Sequence, residues 1–299
     1  MKLSQLDPRL HGGLHRDGEF NILGKATTAF EPQHRVLTYL TDVRYLDGLR
    51  NNPAITGVIV ALELLETVRL PDPWGILVDP NPKQAFVRIH NALAETDFYW
   101  TRFPTRIDPT ALISPHAVIA ETGVTVGARV VIEPHVTVHS GTLIGDDCII
   151  RSGTRLGSSG FEFLNDGEGM MSVTCAGRLI LEDHVEVQHN CAIDRGMYGG
   201  DTRLRAHVKV DNLVYIAHDV TLGTRSTVAG SAVILGRCVI GSDVWVGPNA
   251  TISNGLTVGD HAKVSLGSVV TRDVAPNQTV SGNFAIDHAK YLAFLKTVR

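Results

Sequence analysis

From Leu204 onward, every sixth residue of the chain is Leu, Ile or Val. The run is Leu204, Val210, Ile216, Leu222, Val228, Ile234, Ile240, Val246, Ile252, Val258, Val264 and Val270. An earlier run keeps the same step through Val126, Ile132, Val138, Ile144, Ile150 and Leu156. Ile107, Ile113 and Ile119 precede it one residue out of phase, and Leu181, Val187 and Ile193 lie between the two runs. A step of six matches neither the 3.6 of a helix nor the 2 of an ordinary strand. It matches a triangular coil whose flat sides take six residues each, with one aliphatic side chain per side stacked inward on the coil below. Gly145, Gly157, Gly223, Gly241, Gly247 and Gly259 each follow an inward position directly. They are expected at tight corners, where a Cβ is unwelcome.

Two segments break the period. The longer, 157–178, holds Gly160-Phe161-Glu162-Phe163 and a polar run from Asn165 to Gly169. The shorter, 195–202, holds Gly196, Gly199 and Gly200. Loops that leave a solenoid are not needed by the coil and commonly carry function. Residues 1–100 lack the period and read as a small α/β domain. Buried strands are expected at 36–40 and 57–62, and helices at 45–50 and 82–94, the latter with Pro82 near its start. Residues 101–109, with two prolines, form the junction. The coil domain is expected over 101–285. A short helix at 286–299 follows, with Ile286, Tyr291, Leu292 and Leu295 placed to cap the last coil. The chain is therefore mainly β, a parallel β-helix with a small N-terminal α/β domain.

Composition narrows the class. The 299 residues are 43% hydrophobic with a formal net charge of −4, and no long Lys/Arg run marks a nucleic-acid partner. Cys148, Cys175, Cys191 and Cys238 form no C-x-x-C pair and read as small core residues of a reduced, cytoplasmic protein. No signal peptide and no stretch near the roughly 20 apolar residues of a membrane span is visible.

The period-six coils resemble the hexapeptide-repeat acyltransferases, built on a left-handed parallel β-helix. More specifically, the chain is similar to the UDP-3-O-acylglucosamine N-acyltransferases of lipid A synthesis. The matching segments are 160–163 (GFEF), 193–196 (IDRG), 211–213 (DNL), 216–220 (IAHDV), and in the front domain 39–45 (YLTDVRY) and 79–82 (DPNP). The resemblance covers about residues 30–285. It implies a homotrimer with active sites between neighbouring helices, an acyl-CoA or acyl carrier protein as donor, and no permanently bound cofactor. It also implies that two aromatics, here Tyr39 and Tyr45, stack on a uracil. The chain departs from that pattern in four places. Asn254-Gly255 is followed by Leu256 where the family has a second functional His, and the C-terminal extension is short. Residues 281–285 (SGNFA) look instead like the ending of acetyl-CoA-dependent sugar acetyltransferases, which brings an O-antigen amino sugar into view beside lipid A. Asp42 replaces an Asn; an ionised Asp only accepts, so it could take the single N–H of uracil but suits the two donors of a guanine edge better, which brings a GDP-linked sugar into view.

Acyl transfer from a thioester to an amine needs a base and donors for the oxyanion. His218 lies two residues after the inward Ile216 and is expected to point outward into the cleft. Its family match makes it the candidate base, with Asp219 or Asp211 to orient the ring. Phe161 and Phe163 are candidates for a wall along the acyl chain. Asp194, Arg195, Asp211 and Asn212 are candidates for holding the sugar or its phosphates, Arg195 by its fork. Two rivals stand beside this. His184 and His189 have the H-x4-H spacing of γ-class carbonic anhydrases, which would make a zinc enzyme; the other rival is a non-catalytic scaffold.

Overall fold

A computed structural model describes residues 1–25, 32–282 and 287–297. The period-six segment forms three parallel sheets of nine, eight and eight two- to four-residue strands, from Arg106–Ile107 to Thr279–Val280. Strands separated by one coil pair in register, as Val131 with Ile149 and Val210 with Val228. Every position of the two long aliphatic runs is buried in one continuous core, together with Leu181, Val187 and Ile193. Parallel strands two residues long persist because each coil buries its aliphatic rungs against the next. The first coil lacks a neighbour on one side, and its Ile107 is 46% exposed.

The glycines that follow the inward positions have a different cause from the one their sequence suggests. The left-handed corners fall three residues after each inward position and are mostly not glycine: Asp147, His184, Asp219, Arg225 and Asp243 all have φ between 56° and 61°. At Gly223 a Cβ would lie 2.3 Å from the backbone of Gly241, and at Gly145 it would lie 2.9 Å from the backbone nitrogen of Asp183. These positions are glycine because one coil lies directly against the next. Gly157, with φ +75°, is the exception that does use left-handed backbone.

Both interruptions are loops. Paired residues are 37 apart across the longer loop (Ile150 with Val187) and 23 apart across the shorter (Val187 with Val210). The longer carries a small antiparallel hairpin, Phe163–Asn165 with Met170–Ser172.

The front domain is a five-stranded sheet. Its strands are β1 (Gly13–Arg16), β2 (Ile22–Leu23), β3 (Val36–Leu40), β4 (Ile55–Val60) and β5 (Gly75–Val78), in the order β1-β5-β4-β3-β2 with only β1 antiparallel. Its helices are α1 (Leu46–Arg50), α2 (Leu62–Leu65) and α3 (Pro82–Ala94). The strand expected at 57–62 starts two residues earlier, and Leu62 opens α2 instead. β1, β2 and β5 carry no strong periodic signal. α3 and one sheet face share an apolar core with both loops: Leu37, Ile59, Leu77 and Phe86 pack with Val173, Cys175, Met197 and Tyr198. The loops therefore form a wedge between the front domain and the coils. A last helix, α4 (His288–Thr297), leaves Tyr291 and Leu292 exposed at 47% and 45%, so they do not cap the coil as expected. Ile286 and most of the 281–285 segment lie outside the described residues.

Candidate active site

His218 sits at a solenoid corner just before the left-handed Asp219. The corner is fixed on three sides. The Asp219 backbone N–H donates to the Thr202 hydroxyl at 2.8 Å, its Oδ1 accepts the Met197 N–H at 3.1 Å, and its Oδ2 lies 2.8 Å from His218 Nδ1. A carboxylate only accepts, so Nδ1 carries a proton, and in the neutral ring Nε2 is the nitrogen that holds the lone pair. That is the tautomer a general base needs.

The imidazole does not project from an open solenoid face. The longer loop covers it, and the whole residue is 7% exposed. A Cβ at Gly160 would come within 3.0 Å of its Cδ2, and one at Gly236 within 2.8 Å of its Cε1 and Nε2. The ring thus lies between two glycines that leave no room for a methyl group.

Facing Nε2 at 3.8 Å is Glu162 Oε2. Glu162 is held by Lys25 Nζ of the front domain at 2.5 Å and by Arg237 Nη1 of the coil at 3.4 Å. Burial opposes ionisation of this carboxyl, but the Lys25 bond and the charge of Arg237 hold it below the usual Glu range. Burial also lowers the Lys25 ammonium, in spite of Glu162. Lys25 stands 5.9 Å from the Tyr198 ring centroid, and Tyr198 packs edge-on against Phe86, which meets Tyr39 in the same way. Asp194 completes the group. It accepts from the Tyr215 hydroxyl at 2.7 Å and from Ser158 at 2.9 Å, yet burial keeps its carboxyl above the ordinary range.

The structure brings His218, Asp219 and Asp194 together with the loop residues. It sends others elsewhere. Asp211 accepts the Gly230 N–H at 2.9 Å, and Asn212 meets His189 at 3.0 Å, so both serve corner hydrogen bonds. Arg195 turns away from His218 and donates to the Ser140 carbonyl at 3.0 Å. Phe161 and Phe163 stack edge-to-face at 5.0 Å and stay 85% and 43% exposed, an apolar surface near the site rather than packing for the coil. In the front domain Tyr39 is half-buried and Tyr45 is exposed. Asp42 caps the turn that follows β3, and its oxygens already accept from the Arg44 backbone N–H, Nε and Nη2 at 2.8–3.0 Å. His184 and His189 do not converge. His184 stacks on His207 at 4.6 Å while His189 bonds Asn212. Leu256 packs against the solenoid core. Sequence reading passed over Lys25, Tyr215, Gly236 and Arg237. Glu162 was within reach as a lone charge inside an otherwise apolar quartet.

The bacterial transferase hexapeptide family (six repeats) matches residues 123–158 and 237–272. The matched stretches lie in the coils and carry the same six-residue repeat. The chain is also similar to UDP-3-O-acylglucosamine N-acyltransferases. The one from Herminiimonas arsenicoxydans is 28% identical over 302 residues, covering 91% of this chain and 85% of that protein. The one from Caulobacter sp. (strain K31) is 33% identical over 127 residues, 42% of this chain, and the match spans only 37% of the relative's length. Among solved structures, the UDP-N-acetylglucosamine acyltransferase from Campylobacter jejuni aligns over 64% of this chain and 83% of its own, with 19% identity and a TM-score of 0.45.

Proposed function

We propose that this chain is an N-acyltransferase that moves an acyl group from a thioester, acyl-CoA or acyl carrier protein, to the amino group of a nucleotide-linked sugar. The observation that carries the reading is the His218–Asp219 pair, buried under a loop that departs from the coil. The neutral amine attacks the thioester carbonyl and a new C–N bond forms. His218 Nε2 takes the proton that the amine nitrogen sheds, and the C–S bond breaks to release the thiolate. Asp219 holds the ring in the required tautomer and stabilises the imidazolium. Burial keeps bulk water from competing for the thioester. Relatedness to the UDP-3-O-acylglucosamine N-acyltransferases supports lipid A precursors as the acceptor class, and Tyr39 and Tyr45 offer the aromatic faces for a nucleotide base.

The protein works as a homotrimer in the cytoplasm. Exposed apolar residues along the coil sides, among them Leu112, Val118, Leu213, Trp245 and Leu266, support burial of those faces between subunits. Leu256, which packs against the core, favours a donor that need not be a long acyl chain on carrier protein. His218→Ala tests the base directly. Turnover should fall roughly 10²–10⁴-fold with assembly intact; near-wild-type turnover would remove His218 from the role.

A further inference from the structure

Where the front domain ends against the coil lies a cavity of about 310 Å³. Arg195, Arg102, Trp100, Thr96, Thr122 and Thr174 are among its lining residues. Cys175, which also lines it, accepts the Gly160 N–H at 3.1 Å and so stands between this cavity and the His218 ring. Two observations single out Arg195. Its guanidinium has no carboxylate within ion-pair reach among the described residues, and its sole protein acceptor there is the Ser140 carbonyl. Its Nε is buried with no hydrogen-bond partner. Burial presses on its charge, and only the Cys175 thiol opposes that. A buried, unpaired cation is costly, and proteins keep one where something else supplies the opposite charge.

We infer that this cavity binds a phosphate group, held by the Arg195 fork with Arg102 and the threonine hydroxyls around it. Arg195 presents several N–H donors in one plane, which matches phosphate oxygens. Thr122 and Thr174 add hydroxyls that can donate to an anion, while Thr96 already donates to the Leu93 carbonyl at 2.7 Å. Trp100 already spends its indole N–H on the Ala176 carbonyl at 3.0 Å, so it offers a ring face and no competing donor. The same chemistry is carried by free phosphate, by a nucleoside monophosphate and by coenzyme A, and the site is independent of whether His218 is the base.

Isothermal titration with inorganic phosphate, uridine monophosphate and coenzyme A, on the intact protein and on Arg195→Met, tests this. The intact protein should bind at least one probe saturably, and Arg195→Met should weaken that binding roughly tenfold or more. The tightest of the three tells which source the site serves. If Arg195→Met does not fold, Arg102→Gln, a half-exposed position, serves in its place with a smaller loss expected. Absence of saturable binding of all three, or affinities that ignore these substitutions, overturns the assignment.

Discussion

Gly236→Ala probes the geometry of the His218 corner without touching a charged group. Gly236 does not use left-handed backbone, so alanine introduces no conformational strain there. Its Cβ, however, would lie 2.8 Å from both Cε1 and Nε2 of the imidazole. Ordinary contact begins near 3.4 Å, so the ring must retreat by about 0.6 Å. Gly160 lies close on another side, where an added Cβ would stand 3.0 Å from Cδ2. The yielding element is therefore the 2.8 Å bond from Nδ1 to Asp219, stretched toward the limit of hydrogen bonding. A charge-assisted bond of this kind contributes about 1.5–3 kcal/mol, and displacement of a catalytic group by about 1 Å costs about 10²-fold. Gly236→Ala should lower kcat/KM by roughly 10–100-fold. Its denaturation midpoint should move little, because a ring and not a backbone segment gives way. Steady-state kinetics with chemical denaturation reads both. Full activity would mean that the ring has slack and that its position is not set by these contacts; unfolding would mean that the glycine serves the coil.

Glu162→Gln should lower stability by about 1–3 kcal/mol, since it removes the negative charge facing Lys25 at 2.5 Å and the one carboxylate that Arg237 meets among the described residues; a double-mutant cycle with Lys25→Met showing no coupling would rule out the bridge. His90 gives a pH prediction. Its Nε2 faces the Thr174 carbonyl, an acceptor, so Nδ1 accepts from the Tyr99 hydroxyl, both at 2.6 Å, and burial lowers the ring from 6.5 to about 4. The unfolded chain then binds a proton that the folded one refuses. Stability is fully present above about pH 6.5 and is lost as pH falls toward 4, by about 3 kcal/mol in all. Urea titrations of His90→Gln should lose most of that slope, and an unchanged slope would place the acid sensitivity elsewhere. Sedimentation should return about three times the 32.4 kDa of one chain, and a species at one chain's mass would contradict the trimer.

The coil was legible because a stacked solenoid repeats one constraint at every sixth residue, and Leu204 to Val270 obey it without a break. The loops were legible as its interruptions, and α3 by its length and by Pro82. The front-domain strands were harder. β5 is four residues long, and β1 presents a half-exposed edge, so neither leaves a periodic trace. At the site, His218 and Asp219 are adjacent in sequence and could be paired from it. Lys25, Glu162 and Arg237 come from a domain, a loop and a coil far apart in the chain, so their meeting over the ring depends on how the wedge seats. Arg195 and Asp194 show the same limit at close range. As neighbours at the end of one strand they point to opposite sides of a wall that no local pattern reveals. Asp42 carried a base-reading expectation from its place between Tyr39 and Tyr45 in the family resemblance, and in the structure its oxygens accept from Arg44.

In the proposed reaction an amine is acylated at the His218 corner. Mass spectrometry after incubation with UDP-, GDP- and dTDP-linked amino sugars and a series of acyl thioesters tests it most directly. At least one amino sugar should gain one acyl mass through an alkali-stable amide, with the product lost in His218→Ala. An alkali-labile ester, or no acylated sugar from any pairing, would contradict it.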